Sequence, residues 1–116
     1  MKHISIKRIY EEPSDKDGYR VLVDRLWPRG VSKEKAKLDE WAKELAPSTD
    51  LRKWFDHKEE RFYEFSKRYK EELIAKDAEL DKLRAMSLKQ HLTLLYGAKD
   101  NQINQAIVLR DVLLKE

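Results

Sequence analysis

The chain contains no cysteine, only three glycines and three prolines, and no apolar run near the ~18 residues that a membrane-spanning helix needs. Each absence narrows the function. Without cysteine there is no disulfide framework, no thiolate metal site and no thiol nucleophile. Gly18, Gly30 and Gly97 are isolated turn glycines. They build neither a G-x-G-x-x-G fingerprint nor a P-loop, so no glycine-rich phosphate cradle is expected. The histidines lack metal-ligand spacing, and neither a metal nor a cofactor is expected. The opening Met1-Lys2-His3-Ile4 has no apolar signal core, which together with the missing cysteine makes the cytoplasm the expected compartment.

What the chain does have is charge. Lys and Arg number 25 against 22 Asp and Glu, giving a net charge of +3 in 116 residues. The excess is mild and spread out. It suits solvated helix faces with i,i+4 pairs better than a concentrated nucleic-acid stripe. The length fits one domain with a single core.

Periodicity divides the chain into alternating strands and helices. Ile4, Ile6 and Ile9 point to a strand over 3–9, and a turn segment follows through Gly18. Tyr19 to Asp24 reads as a second strand. Its consecutive Val21, Leu22 and Val23 fit a strand covered on both faces. The link between the two strands is short for a parallel crossover, so length alone permits a hairpin. Ser32 caps a short helix to Lys37, while 38–45 fits helix and strand equally. Ser48 caps a helix over Asp50 to Phe55. Asp56 caps a long one in which Phe62, Phe65, Tyr69 and Leu73 form a single stripe, continuing or restarting to Met86. His91 to Tyr96 is a third apolar strand. Asp100 or Asn101 caps a last, buried helix over Gln102 to Leu114. Strands alternating with helices predict an α/β sandwich.

The densest chemistry is Arg20-Val21-Leu22-Val23-Asp24-Arg25-Leu26-Trp27-Pro28-Arg29-Gly30, where an apolar strand delivers an acid, two guanidinium groups and an aromatic plane to one point. The third strand ends in Tyr96-Gly97-Ala98-Lys99-Asp100. If the two strands are parallel neighbours, both clusters face one crevice beyond their carboxyl ends. Arg25, Arg29 and Lys99 are then candidate anion contacts, with Tyr96 beside them, Asn104 as a hydrogen-bonding partner and Trp27 as a wall. Asp24 is expected to orient Arg25, or less readily to act as a base, since a carboxylate beside a guanidinium is weakly basic. His57 is the other acid–base candidate. Arg52, Arg61 and Arg68 form a secondary basic face. His57, Arg61 and Arg68 share one side if a single helix carries them. Trp54 is a further aromatic that either stacks on a ligand or packs. His3 and His91 read as strand-flank residues.

These motifs resemble the YeaO-like family of small uncharacterised bacterial proteins. The resemblance spans nearly the whole chain. It rests on Val21 to Gly30, Ala46-Pro47-Ser48, Leu51-Arg52-Lys53-Trp54-Phe55, Arg61-Phe62 with Phe65 and Arg68-Tyr69, and Leu94 to Asp100 with Asn104. It implies a small Rossmann-like α/β sheet, mostly parallel, which would make the first two strands parallel. It supplies no activity. Longer, more distant relatives carry a Cys-His-Arg triplet at the start of the last helix. Asn104-Gln105-Ala106 stands there in this chain, so a thiol mechanism does not transfer. The leading expectation is a domain that binds a small anion, a nucleotide or sugar phosphate, with or without catalysis. A nucleic-acid-associated accessory protein using Arg52, Arg61 and Arg68 is one alternative. A structural or interaction module without a ligand is the other. No membrane partner is expected, and the oligomeric state is open.

Overall fold

Val21, Leu22 and Val23 lie fully buried, as three consecutive apolar residues must when both faces of their strand are covered. The computed structural model describes residues 3–115, so Met1, Lys2 and Glu116 lie outside the described residues. It contains strands β1 (Ile4–Arg8), β2 (Tyr19–Leu22), β3 (Glu40–Trp41) and β4 (Leu92–Tyr96). They form one sheet in the order β1-β4-β2-β3, and every neighbouring pair is parallel. The protein is thus a small α/β fold, as the alternation of elements predicts.

The hairpin that the short first link allows does not form, because β4 inserts between β1 and β2. Residues 9–18 instead cross one face of the sheet without a full helix. Thr93 Oγ1 donates to the Asp17 carbonyl at 2.7 Å and fastens the crossing to β4. Gly18 closes it at φ +67°, where a Cβ would sit 2.1 Å from the His91 carbonyl oxygen. Only glycine lets the two backbones approach so closely.

The helices are α1 (Lys33–Ala36), α2 (Thr49–Phe55), α3 (Phe62–Leu73), α4 (Asp77–Lys89) and α5 (Gln105–Leu114). On one face of the sheet Val21, Val23, Leu92, Leu94 and Tyr96 meet the α3 stripe of Phe65, Tyr69 and Leu73, with Leu80, Leu83, Leu109 and Leu113. On the other face Ile9, Leu22 and Leu95 lie under Ala36, flanked by Trp27, Val31, Leu38 and Trp41.

Several boundaries depart from the sequence reading, each for a local reason. The 38–45 stretch is both things in turn: two residues of strand, then a 3-10 turn at Lys43–Leu45. Ser32 and Ser48 cap α1 and α2 as expected, their hydroxyls accepting from Lys35 N and Leu51 N. Asp56 does not start a helix as expected: it is the C-cap of α2, its backbone N–H donating to the Arg52 carbonyl. Asp56 and His57 both adopt left-handed backbone, and a 3-10 turn at Glu59–Arg61 leads into α3. The long helix breaks at Ile74–Lys76 and restarts as α4. The last helix begins three residues late, at Gln105. Asp100 accepts from Gln102 N and Ile103 N in a turn, and Asn104 is the true cap, accepting from Ile107 N. Among the described residues no helix is long and apolar enough to cross a membrane.

The thinner face is held by buried charge. Asp17 accepts from Lys7 Nζ at 3.1 and 3.2 Å and from Arg20 Nη1 at 2.5 Å. Arg20 also donates to the Ala36 and Lys37 carbonyls, so one guanidinium ties the first crossing to α1. Burial alone would raise the Asp17 pKa, but the Ser14 amide, Lys7 and Arg20 outweigh it and hold the carboxyl below its ordinary value. Replacing Asp17 by Ala leaves Arg20 charged and unpaired in the interior. The expected loss is about 3–5 kcal/mol at neutral pH, read from urea unfolding midpoints. Because the folded value is depressed, the pair's contribution is intact above the ordinary carboxylate range. In the wild type it fades as pH falls below about 4, so the two proteins should converge in acid.

Candidate functional site

Parallel pairing places the carboxyl ends of β2 and β4 on the same edge of the sheet. There the two chains part. Beyond β2 the chain turns toward the face that carries α1, and beyond β4 toward the face that carries α5. Neighbouring strands whose chains leave to opposite sides open a crevice between them. A cavity of about 470 Å³ occupies this place. Asp24 to Arg29 line it from the end of β2, Gly97 and Ala98 from the end of β4, and Gln105 from the first turn of α5. Pro47, Arg52, Phe55 and His57 close it from around α2, Phe65 from α3 and Tyr10 from beyond β1.

Asp24 and Arg25 do not pair. Side chains alternate along an extended chain, so consecutive residues leave in different directions. Arg25 donates from Nε to the Pro47 carbonyl at 2.9 Å and from Nη2 to the Ala46 carbonyl at 3.0 Å, leaving the rest of its fork free. Asp24 accepts from Gly97 N at 2.9 Å and from the Gln105 side-chain amide. Gly97 is required for this contact, since a Cβ there would lie 2.9 Å from the carboxylate. Burial pushes the Asp24 pKa up to about 6, against the lowering effect of Gly97, Gln105 and the nearby charge of Arg52. The expected weak base beside a guanidinium is therefore a half-buried carboxylate that titrates near neutrality.

Other residues are held by the scaffold. Trp27 Nε1 donates to the Val31 carbonyl at 2.7 Å and its ring packs edge-on against Trp41, which fixes it in the cavity lining. Tyr10 closes one side, its hydroxyl donating to the Arg29 carbonyl at 2.9 Å. His57 lines the cavity with φ +55°, and Asp56 before it has φ +48°. Two consecutive non-glycine residues in the left-handed region store strain beside the cavity.

Three sequence candidates fall outside the lining. Tyr96 is buried in the core, Lys99 is exposed, and Asn104 is spent on capping α5 and on donating to the Asp100 carbonyl. The expected basic face divides. Arg52 joins the cavity, whereas Arg61 and Arg68 stack on Trp54 at 5.4 and 4.4 Å. Arg61 also donates to the Trp54 carbonyl, and Arg68 pairs with Glu64. His57 does not share their helix, because the left-handed turn separates it from α3. Gln105, Tyr10, Phe55 and Phe65 complete the site without having been singled out for it. Only parallel β2–β4 pairing brings them there. Among the described residues no cluster of three or more acidic or histidine side chains is placed to hold a metal.

The fold and crevice define a small α/β protein with a cationic cavity at the carboxyl edge of a parallel sheet. The model of the inactive DUF488-N3 subclade matches residues 3–116, and the chain belongs to this YeaO-like family of bacterial proteins. It is 47% identical over 111 residues to the uncharacterized protein YeaO of Escherichia coli, covering 96% of each chain. It is 46% identical over 92 residues to uncharacterized proteins of Mycobacterium bovis and Mycobacterium tuberculosis, covering 78% of each chain. No solved structure matches it.

Two measurements test this description. Asp24→Asn removes a charge that burial disfavours, while the amide can still accept from Gly97 N and a turned Gln105 amide can meet its NH₂. The variant should be more stable than the wild type by about 1–3 kcal/mol at pH 8. The sign follows from the raised value: Asp24 costs least when protonated, and the cost grows as pH rises through about 6. The gain should therefore vanish below about pH 4, as read from unfolding midpoints across pH. His57→Gly should relieve the backbone strain and raise stability by about 1 kcal/mol, measured the same way.

Proposed function

We propose that the protein binds a small phosphorylated anion, a nucleotide or sugar phosphate, in the crevice at the ends of β2 and β4. The observation that carries this reading is the state of three arginines. Arg25, Arg29 and Arg52 line one cavity, and among the described residues none of them forms an ion pair. Three guanidinium groups that line one cavity with Asp24, none of them in an ion pair among the described residues, suit a bound phosphate, which their planar forks match. The volume is in the range that encloses a small ligand.

Binding without turnover is the better-supported form. Among the described residues no serine, threonine, lysine or cysteine lines the cavity, so a nucleophile of those four types is missing from it. The family is described as inactive, which accords with Asn104-Gln105-Ala106 standing where more distant relatives carry Cys-His-Arg. Asp24 and His57 remain the groups that would move protons if a reaction occurred. The nucleic-acid reading has less to rest on, because Arg61 and Arg68 are engaged by Trp54 and Glu64.

A ligand that binds only the folded state raises the melting temperature. Millimolar inorganic phosphate, ribose 5-phosphate or AMP should do so. Arg52→Gln, at an exposed position that does not hold the fold together, should weaken phosphate binding by about tenfold in calorimetry, the worth of one charge-assisted contact. The proposal fails if none of the three compounds shifts the melting temperature.

A further inference from the structure

Asp24 stands in a cavity with three guanidinium groups and forms an ion pair with none of them among the described residues. It is held instead by two neutral donors, the Gly97 amide on one oxygen and the Gln105 amide on the other. A carboxylate offers about four acceptor positions. Two are filled from the protein, and Asp24 is among the residues that line the cavity. A carboxylate that merely completed the fold would be served better by the neighbouring arginines, as Asp17 is served by Lys7 and Arg20.

We propose that this carboxylate is the second half of a two-point ligand site, accepting hydrogen bonds from the hydroxyls of a sugar phosphate whose phosphate rests on Arg25, Arg29 and Arg52. The inference rests on the anion-binding reading above and specifies its ligand class. An ammonium donor is disfavoured, because the three guanidinium groups in the same cavity repel a second cation. A hydroxyl carries no such cost. A nucleobase is also disfavoured as the recognised group. Phe55 and Phe65 stack on each other with centroids 4.2 Å apart, and Trp27 is packed against Trp41. Tyr10 is half exposed, but Arg8 lies over its ring at 4.8 Å, so little open aromatic face is left for a base.

The test compares ribose 5-phosphate with propyl phosphate, which has the same charge and no hydroxyl, by calorimetry at pH 7.5. The wild type should prefer the sugar phosphate by about tenfold, the worth of a hydrogen bond to a charged acceptor. Asp24→Asn should lose most of that preference while binding propyl phosphate as well as before or more tightly, since a negative charge has left the cavity. Equal affinities in the wild type, or an undiminished preference in Asp24→Asn, would overturn the sugar-phosphate assignment and leave the anion site standing. Binding of neither compound would overturn both.

Discussion

The parallel pairing of β2 with β4 is the constraint on which the rest depends. In register, Val21 faces Leu94 and Leu22 faces Leu95, and these four residues are fully buried. Burying a Val or Leu side chain is worth roughly 1.5–3 kcal/mol, so a shift in this register would be costly. The same register fixes where the polar tips fall. Two residues beyond the end of β2 comes Asp24, and one beyond the end of β4 comes Gly97. The hydrogen bond between them joins the strand ends and forms the floor of the crevice. The core thus determines the site's geometry before any functional side chain is considered.

Two aspartates in one small fold show opposite treatments of a buried charge. Asp17 receives two cations and a backbone amide, and its proton affinity falls. Asp24 receives only amide donors, and its proton affinity rises. Three arginines border Asp24's cavity, so cations are not lacking. Arg25 is diverted to the Ala46 and Pro47 carbonyls, while Arg29 and Arg52 stand exposed at the rim. Asp17 contributes to holding the first crossing in place. Asp24 is an energetic liability that an Asn would lessen, and costs of this kind gather where a protein meets a ligand.

The sheet was legible because its signals are local. Val21-Leu22-Val23 and Leu92 to Tyr96 read as buried strands from composition alone, and Ser32 and Ser48 read as caps from side-chain chemistry. Strand order was not legible. Nothing in residues 9–18 announces that a third strand will insert between the first two, since that strand lies some seventy residues later. The site was half legible for the same reason. Asp24, Arg25, Trp27 and Arg29 are contiguous and arrive together, and Arg52 was noted but grouped with the wrong partners. Helical periodicity joined His57 to Arg61 and Arg68. The left-handed pair at Asp56-His57 breaks that periodicity, and neither residue is a glycine to warn of it. Asn104 and Tyr96 lay close in sequence to the crevice but were claimed by capping and by the core.

Gln105 bears most directly on how the cavity holds Asp24. It stands at the first turn of α5, within the segment where more distant relatives are read to carry a thiol. The thiol's place in that triplet is Asn104, which caps α5 outside the lining, while Gln105 borders the crevice. The amide faces it as a clamp on Asp24. With Gln105 on one oxygen and Gly97 on the other, the Asp24 carboxylate is held by amides rather than by a guanidinium. Arg25, Arg29 and Arg52 form no ion pair among the described residues. One amide side chain thus bears on both the carboxylate in the cavity and the cations around it.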